Sequence, residues 1–224
     1  MGALTLTDRS VGRSSAAMPT PPESQRRQAV IEAAVERFTR CGFAATRIAD
    51  IADDAGVGKG TVYEYFRSKE EVLIAACAQV CERNLESLNA AVAEAAAGAD
   101  GSPADRLRRL LTLVFTRIPD RTRNRTALFI ELWLLGQRQP GLLDQARHLL
   151  GGMTKGWNEM VRTAMSEAGG AFRQDAAGAA MPLAVAALVD GLLWEQTLLP
   201  PGRDRYDPQA LADLLVDALA RKPA

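Results

Sequence analysis

Histidine and cysteine are scarce in this sequence of 224 residues, which contains one histidine and three cysteines. Metal sites and catalytic arrangements of the Ser-His-Asp or Cys-His kind draw on these side chains, and no G-x-S-x-G motif is present. Three cysteines also form a poor basis for a disulfide framework. We therefore expect a protein that is not an enzyme and that carries no metal or other cofactor.

Long apolar runs are absent as well, so no segment is expected to span a bilayer. The first residues include Asp8, Arg9 and Arg13 and lack the apolar stretch of a secretory signal. The proline-rich segment that follows indicates the end of a disordered N-terminal arm over residues 1–22. The formal net charge is zero, which points to no particular class of partner. We expect a cytoplasmic protein without membrane contact.

Apolar residues recur at helical spacing along most of the chain, and no stretch alternates as a half-buried strand does. The sequence therefore predicts an all-α fold of about nine helices. Their predicted limits are Ser24–Cys41, Thr46–Ala55, Lys59–Phe66, Ser68 to about Gly98, Ser102–Pro119, 126–136, 142–168, Pro182–Leu199 and Asp207–Leu219. Gly42 and Gly56 are expected to end the first two helices, and Ser68 is expected to form a capping box with Glu71.

The letters GVGKGT at residues 56–61 resemble the end of a glycine-rich phosphate-binding loop. That loop requires a glycine at position 53, where this chain has Asp53 followed by Asp54. Two carboxylates would repel a polyphosphate, and the preceding segment has the periodicity of a helix instead of a strand. We therefore reject a nucleotide-binding interpretation.

The same letters fit the turn of a helix-turn-helix, in which a second short helix enters the major groove of DNA. The first helix is Thr46–Ala55, the turn is 56–58, and the recognition helix is Lys59–Phe66. Lysines and hydroxyl groups on its outer face are suited to phosphates and base edges, and the amino end of the first helix favours a phosphate. The predicted DNA contacts are Thr46, Arg47, Lys59, Gly60, Thr61, Tyr63, Tyr65 and Lys69.

The segment TRIADIADDAGVGKGTVYEYFRSKEEVL (46–73) resembles the signature of the TetR family of bacterial transcriptional regulators, and AAVERFTRCGFAAT (33–46) resembles the first helix of that family. The resemblance covers residues 27–73 closely. It implies a DNA-binding domain over 23–69 and a ligand-binding, dimer-forming domain over 70–224. It also implies a homodimer that pairs through its last two helices, a palindromic double-stranded DNA operator, and repression that a small, mostly apolar effector relieves. Activation by the same fold remains an alternative, as do an enzyme that uses the apolar cavity and a helical adaptor for protein partners.

In the resembled family the effector pocket lies among helices four to eight. The aromatic and methionine side chains of this region are the predicted ligand contacts: Phe115, Phe129, Trp133, Met153, Trp157, Met160 and Trp194. The alternative is that most of them are ordinary core residues. Cys77 and Cys81 stand one helical turn apart, which fits either a redox switch or buried structural thiols.

Overall fold

The computed structural model describes residues 22–97, 101–122, 125–167, 175–198 and 206–220, and all the regular secondary structure in these ranges is helical. The helices there are α1 (Glu23–Cys41), α2 (Ile48–Asp54), α3 (Lys59–Tyr65), α4 (Lys69–Ala97), α5 (Pro103–Thr122), α6 (Thr126–Gly136), α7 (Pro140–Glu167), α8 (Ala176–Leu198) and α9 (Pro208–Ala220). The predicted all-α fold is confirmed. The predicted arm over 1–22 lies outside the described residues apart from Pro22. No helix in the described ranges has the length and apolar character that a bilayer crossing requires.

Two apolar cores divide the chain. The first core joins α1, α2, α3 and the first part of α4, up to Val80, and we call this part of the molecule the head. The second core joins the rest of α4 to α5, α7, α8 and α9, and we call this part the body. Leu128 and Leu132 of α6 and Ala146 of α7 belong to the core of the head, so packing between the two parts extends well beyond the predicted boundary after residue 69.

Several helix ends follow the sequence signals. Gly42 and Gly56 take positive φ angles of 78° and 66°, as the ends of α1 and the α2–α3 turn require. The Ser68 hydroxyl accepts a hydrogen bond from the Glu71 amide at 3.2 Å. The Glu71 carboxylate accepts a hydrogen bond from the Arg67 amide at 2.7 Å. A capping box would use the amide of Ser68, so this second bond of the predicted box comes from one residue earlier in the chain.

The predicted limits at two prolines were wrong. Helix α5 continues through Pro119 to Thr122, and α8 begins at Ala176, six residues before Pro182. A proline inside a helix lacks the N–H that would bond the carbonyl four residues earlier. For Pro119 that carbonyl belongs to Phe115, and the Tyr206 hydroxyl donates to it at 2.7 Å.

Candidate DNA-binding head and effector region

The α2–turn–α3 unit has the geometry of a helix-turn-helix. The Val57 amide donates to the Ala52 carbonyl at 3.0 Å, which closes the turn after Gly56. Val57 is half-buried and packs against the core of the head, and Val62 of α3 is fully buried in that core. The turn and the inner face of α3 therefore hold the recognition helix at a fixed angle to α2.

The outer face of α3 is exposed to solvent. Lys59, Gly60 and Tyr63 are exposed and Thr61 is half-buried. Tyr63 leaves 49% of its surface exposed. The Lys59 ammonium lies 5.9 Å from the centroid of the Tyr63 ring. The structure therefore brings four of the predicted contact residues together on α3.

The side chains of Thr46 and Tyr65, two further predicted DNA contacts, turn into the head instead of outward. Thr46 is 1% exposed, and its hydroxyl donates to the Gly42 carbonyl at 2.8 Å. The residue that precedes α2 as its N-cap is Arg47 instead of Thr46. The Tyr65 hydroxyl is buried without a hydrogen-bond partner among the described residues, because the side chain packs inward on the core of the head.

Lys69, which is predicted to contact a phosphate, also has partners inside the head. Its ammonium donates to the carbonyls of Phe43 and Thr46 at 2.8 and 2.9 Å. The same ammonium lies 4.2 Å from the centroid of the Phe43 ring, within the range of a cation–π interaction. Lys69 therefore ties the loop between α1 and α2 to the start of α4.

The amino end of α2 is occupied by a carboxylate. The Arg47 amide donates to Asp50 at 3.0 Å, and the Arg47 guanidinium donates to the same carboxylate at 2.8 Å. Hydrogen bonds from Arg47 lower the pKa of Asp50 to about 2. The Arg47 side chain remains 80% exposed. Arg47 can therefore still reach a phosphate, but an anion at this helix end would have to compete with Asp50.

Asp54, which helped to exclude a phosphate loop, serves a structural role. The Arg37 guanidinium binds its carboxylate through two hydrogen bonds of 2.7 and 2.6 Å. These bonds hold the pKa of Asp54 below its usual value. The pair ties α1 to the end of α2 and fixes the position of the helix-turn-helix in the head.

The predicted effector residues are dispersed. Phe115 is 1% exposed in the core of the body, and Phe129 and Met160 are half-buried. Trp133 and Trp194 are each 45% exposed. The side chains of Met153 and Trp157 lie outside the described part of the structure. Two surface clefts, of about 700 and 210 Å³, are lined by none of these seven residues, so the pocket stays a prediction.

The two cysteines of α4 are free thiols in buried positions. Burial raises the pKa of the Cys81 thiol to about 11, and burial raises the pKa of Cys77 above its usual range. A thiolate is the reactive form of cysteine, so both thiols are poor candidates for a redox switch. The surroundings favour the structural interpretation of this pair.

Sequence reasoning missed a basic side chain of α1. The guanidinium carbon of Arg27 lies 5.2 Å from the centroid of the Phe66 ring, directly after the recognition helix. No signal in the sequence links these two residues, because the stack depends on how α1 packs beside α3.

Two family descriptions match the chain. The model for "Bacterial regulatory proteins, tetR family" matches residues 30–76, and the model for "BetI-type transcriptional repressor, C-terminal" matches residues 103–222. The two matches together cover the helix-turn-helix and most of the body.

Individual relatives agree with these matches. The regulator TtgR of Pseudomonas putida is 31% identical over 218 residues, which are 92% of this chain and 97% of TtgR. The regulator BetI of Stenotrophomonas maltophilia is 34% identical over 122 residues, which are 54% of this chain and 59% of BetI. The chain spans less than two thirds of the length of several other curated relatives. The solved structure of the TetR-family regulator PfmR of Thermus thermophilus has a TM-score of 0.53 and 25% identity, and the match covers 88% of this chain and 98% of PfmR. The chain belongs to the TetR family, and it is a DNA-binding transcriptional regulator of that family.

Proposed function

We propose that the protein is a homodimeric, cytoplasmic repressor that a small, mostly apolar effector releases from a palindromic DNA operator. In this proposal residues 23–69 bind DNA, and residues 70–224 bind the effector and form the dimer. The observation that carries the proposal is the exposed face of α3, where Lys59 and Tyr63 lie side by side on a helix held by a buried core. The match of the body to a family of repressors supports repression.

Each side chain of this face has a role in DNA binding. The Lys59 ammonium is a point charge suited to a phosphate, and the hydroxyls of Thr61 and Tyr63 can bond phosphates or base edges. A Cβ at Gly60 would meet nothing within 4 Å, so packing inside the chain does not require a glycine there. Its small size allows the backbone to approach DNA. Arg47 adds an exposed cation at the start of α2.

The dimer proposal rests on an unpartnered apolar surface of α8 and α9. Six of the exposed residues of α8 recur at spacings of three and four, which places these six on one face of the helix. They are Ala176, Ala180, Leu183, Ala187, Gly191 and Trp194. On α9, Leu214 is 65% exposed. Two copies of this surface, related by a twofold axis, would form a four-helix bundle and set two heads about one DNA turn apart, roughly 34–36 Å.

The effector proposal rests on linkage between two sites. A ligand that binds more tightly to the DNA-incompetent spacing of the heads lowers DNA affinity by the same factor. Phe129, Met160 and Trp194 supply aromatic and polarisable surface in the body, which suits an apolar or aromatic ligand. Their assignment to a pocket is part of the proposal.

Replacement of Tyr63 by alanine tests the DNA-binding face. Tyr63→Ala removes an exposed side chain, so we expect an unchanged thermal unfolding midpoint. Specific binding to DNA from upstream of the protein's own gene should be lost, as measured by fluorescence anisotropy against a random-sequence duplex. Tyr65→Phe is the matched control, because it removes only a buried hydroxyl and should leave DNA binding intact. Normal specific binding by Tyr63→Ala would overturn the proposed face.

A further inference from the structure

The arginines of the head differ in whether a carboxylate neutralises them. Ion pairs join Arg37 to Asp54 at 2.6 Å and Arg47 to Asp50 at 2.8 Å. Two arginines outside α1 are paired with carboxylates of that helix: Arg83 of α4 with Glu32 at 2.8 Å, and Arg125, directly before α6, with Glu36 at 3.2 Å. The pairs of Arg37, Arg83 and Arg125 join separate parts of the chain, and a carboxylate offsets part of the charge of each guanidinium. Arg47 pairs within its own helical turn, and its side chain stays 80% exposed.

Arg27 has a different environment. Its side chain is exposed, and among the described residues its close contact is the ring of Phe66 and not a carboxylate. The Phe66 ring is 5% exposed and meets the ring of Tyr65 edge-on, with 6.5 Å between centroids, so it is a fixed platform. A guanidinium that stacks on a ring uses its flat face, which leaves the N–H donors at its edge free for an anion.

The position of Arg27 relative to α3 indicates which anion its guanidinium would bind. Helix α3 has seven residues and is therefore about 10 Å long. The major groove of B-DNA is about 12 Å wide, so groups at the two ends of such a helix come close to phosphates on either side of the groove. Lys59 supplies the cation at the first end. At the second end, Lys69 is bound to two carbonyls, and Arg27 lies next to Phe66.

We propose that Arg27, which Phe66 positions, binds a DNA phosphate at the C-terminal end of the recognition helix. The inference rests on the proposed DNA-binding face of α3 and adds a contact from α1 that carries no sequence information. Its role is to fix how deeply and at what angle α3 sits in the groove. Arg67, which is exposed and directly follows Phe66, adds positive charge at the same end.

The test measures the salt dependence of binding to a random-sequence DNA duplex. The logarithm of the binding constant falls with the logarithm of the salt concentration by about 0.9 for each neutralised phosphate. With one Arg27 in each protomer of a dimer, Arg27→Gln should reduce the magnitude of this slope by about 1.8. Arg27→Lys should restore most of the slope, because the positive charge is kept.

Arg83→Gln is the matched control, since it removes the same charge from a guanidinium that is already paired with Glu32. We expect the wild-type slope for this variant. An unchanged slope for Arg27→Gln, or an equal loss for Arg83→Gln, would overturn the proposal. Binding to random-sequence DNA reports on phosphate contacts alone. The salt slope can therefore support the Arg27 contact even if the Tyr63→Ala test refutes the proposed role of Tyr63 in specific binding. The two proposals can therefore fail separately.

Discussion

Lys69 and Lys59 are ten residues apart in the same head, but their ammonium groups have different surroundings. Lys69 donates to two backbone carbonyls at 2.8 and 2.9 Å and stacks on Phe43. Lys59 is exposed beside Tyr63. Hydrogen bonds from a charged donor to half-buried carbonyls contribute more to stability than exposed charges do. One lysine therefore stabilises the head, and the other is free to meet DNA.

We expect Lys69→Met to lower the free energy of unfolding by about 2 kcal/mol, because two carbonyls lose a charged donor. Urea denaturation monitored by circular dichroism measures this change. Lys59→Met is the control: its effect on stability should stay within about 0.5 kcal/mol, as for other exposed substitutions, while DNA binding weakens. If Lys69→Met unfolds at the wild-type urea concentration and only DNA affinity falls, Lys69 is a phosphate contact after all.

The exposed face of α3 was predictable from the sequence, because helical periodicity decides which side chains are buried. On α3, the buried Val62 fixes which face points outward, and Lys59, Gly60 and Tyr63 follow from it. Periodicity cannot show which polar groups meet across a turn. The hydrogen bonds of Thr46 and Lys69 depend on the packing of the α1–α2 loop, and the Tyr65 hydroxyl turns inward, so the sequence pattern did not indicate these contacts.

Helix α5 shows how one element can depend on a side chain from far along the chain. Pro119 has no N–H, so the carbonyl of Phe115 loses its helical partner. The Tyr206 hydroxyl, just before α9, donates to this carbonyl at 2.7 Å. Phe115 is 1% exposed, so water is a poor replacement for that bond. The contact also joins the start of α9 to α5.

We expect Tyr206→Phe to lower the free energy of unfolding by about 1–3 kcal/mol, since a buried carbonyl is left unpaired. Pro119→Ala restores an N–H that can bond the same carbonyl within the helix. Tyr206→Phe should therefore lower the free energy of unfolding by less in the Pro119→Ala background than in the wild type. A double-mutant cycle by chemical denaturation measures the coupling, and additive effects would show that the two sites are independent.

Helix ends were predictable where the signal is local. Helices α5 and α9 begin within one residue of the predicted limits at Ser102 and Asp207, because each of these side chains accepts a hydrogen bond from an amide within three residues of itself. The helix limits placed at Pro119 and Pro182 were wrong because the signal there is not local. Whether a proline ends a helix depends on tertiary packing and on groups such as Tyr206, which no local pattern reveals.

The whole molecule is connected by helices that contribute to both cores. Val80 of α4 belongs to the core of the head, and the next residue, Cys81, belongs to the core of the body. Phe129 and Leu149 pack against both cores. A displacement of α6 or α7 by an effector would therefore press directly on α1 and α4. The sequence predicted two domains but could not show this shared packing, because it joins residues far apart in the chain.

The apolar surface of α8 leads to a prediction for the assembly. Leu183 is 61% exposed in the centre of the α8 stripe, and burial of such a side chain in a dimer would contribute roughly 1.5–3 kcal/mol. A twofold interface contains each residue twice, so Leu183→Arg places two like charges in it. We expect monomers by sedimentation velocity and a loss of specific DNA binding, because one head alone reads only half of a palindrome. Leu134→Arg changes a leucine on α6 that is 56% exposed, and it should leave the dimer intact. A dimer that survives Leu183→Arg and dissociates with Leu134→Arg would place the interface on α6 instead.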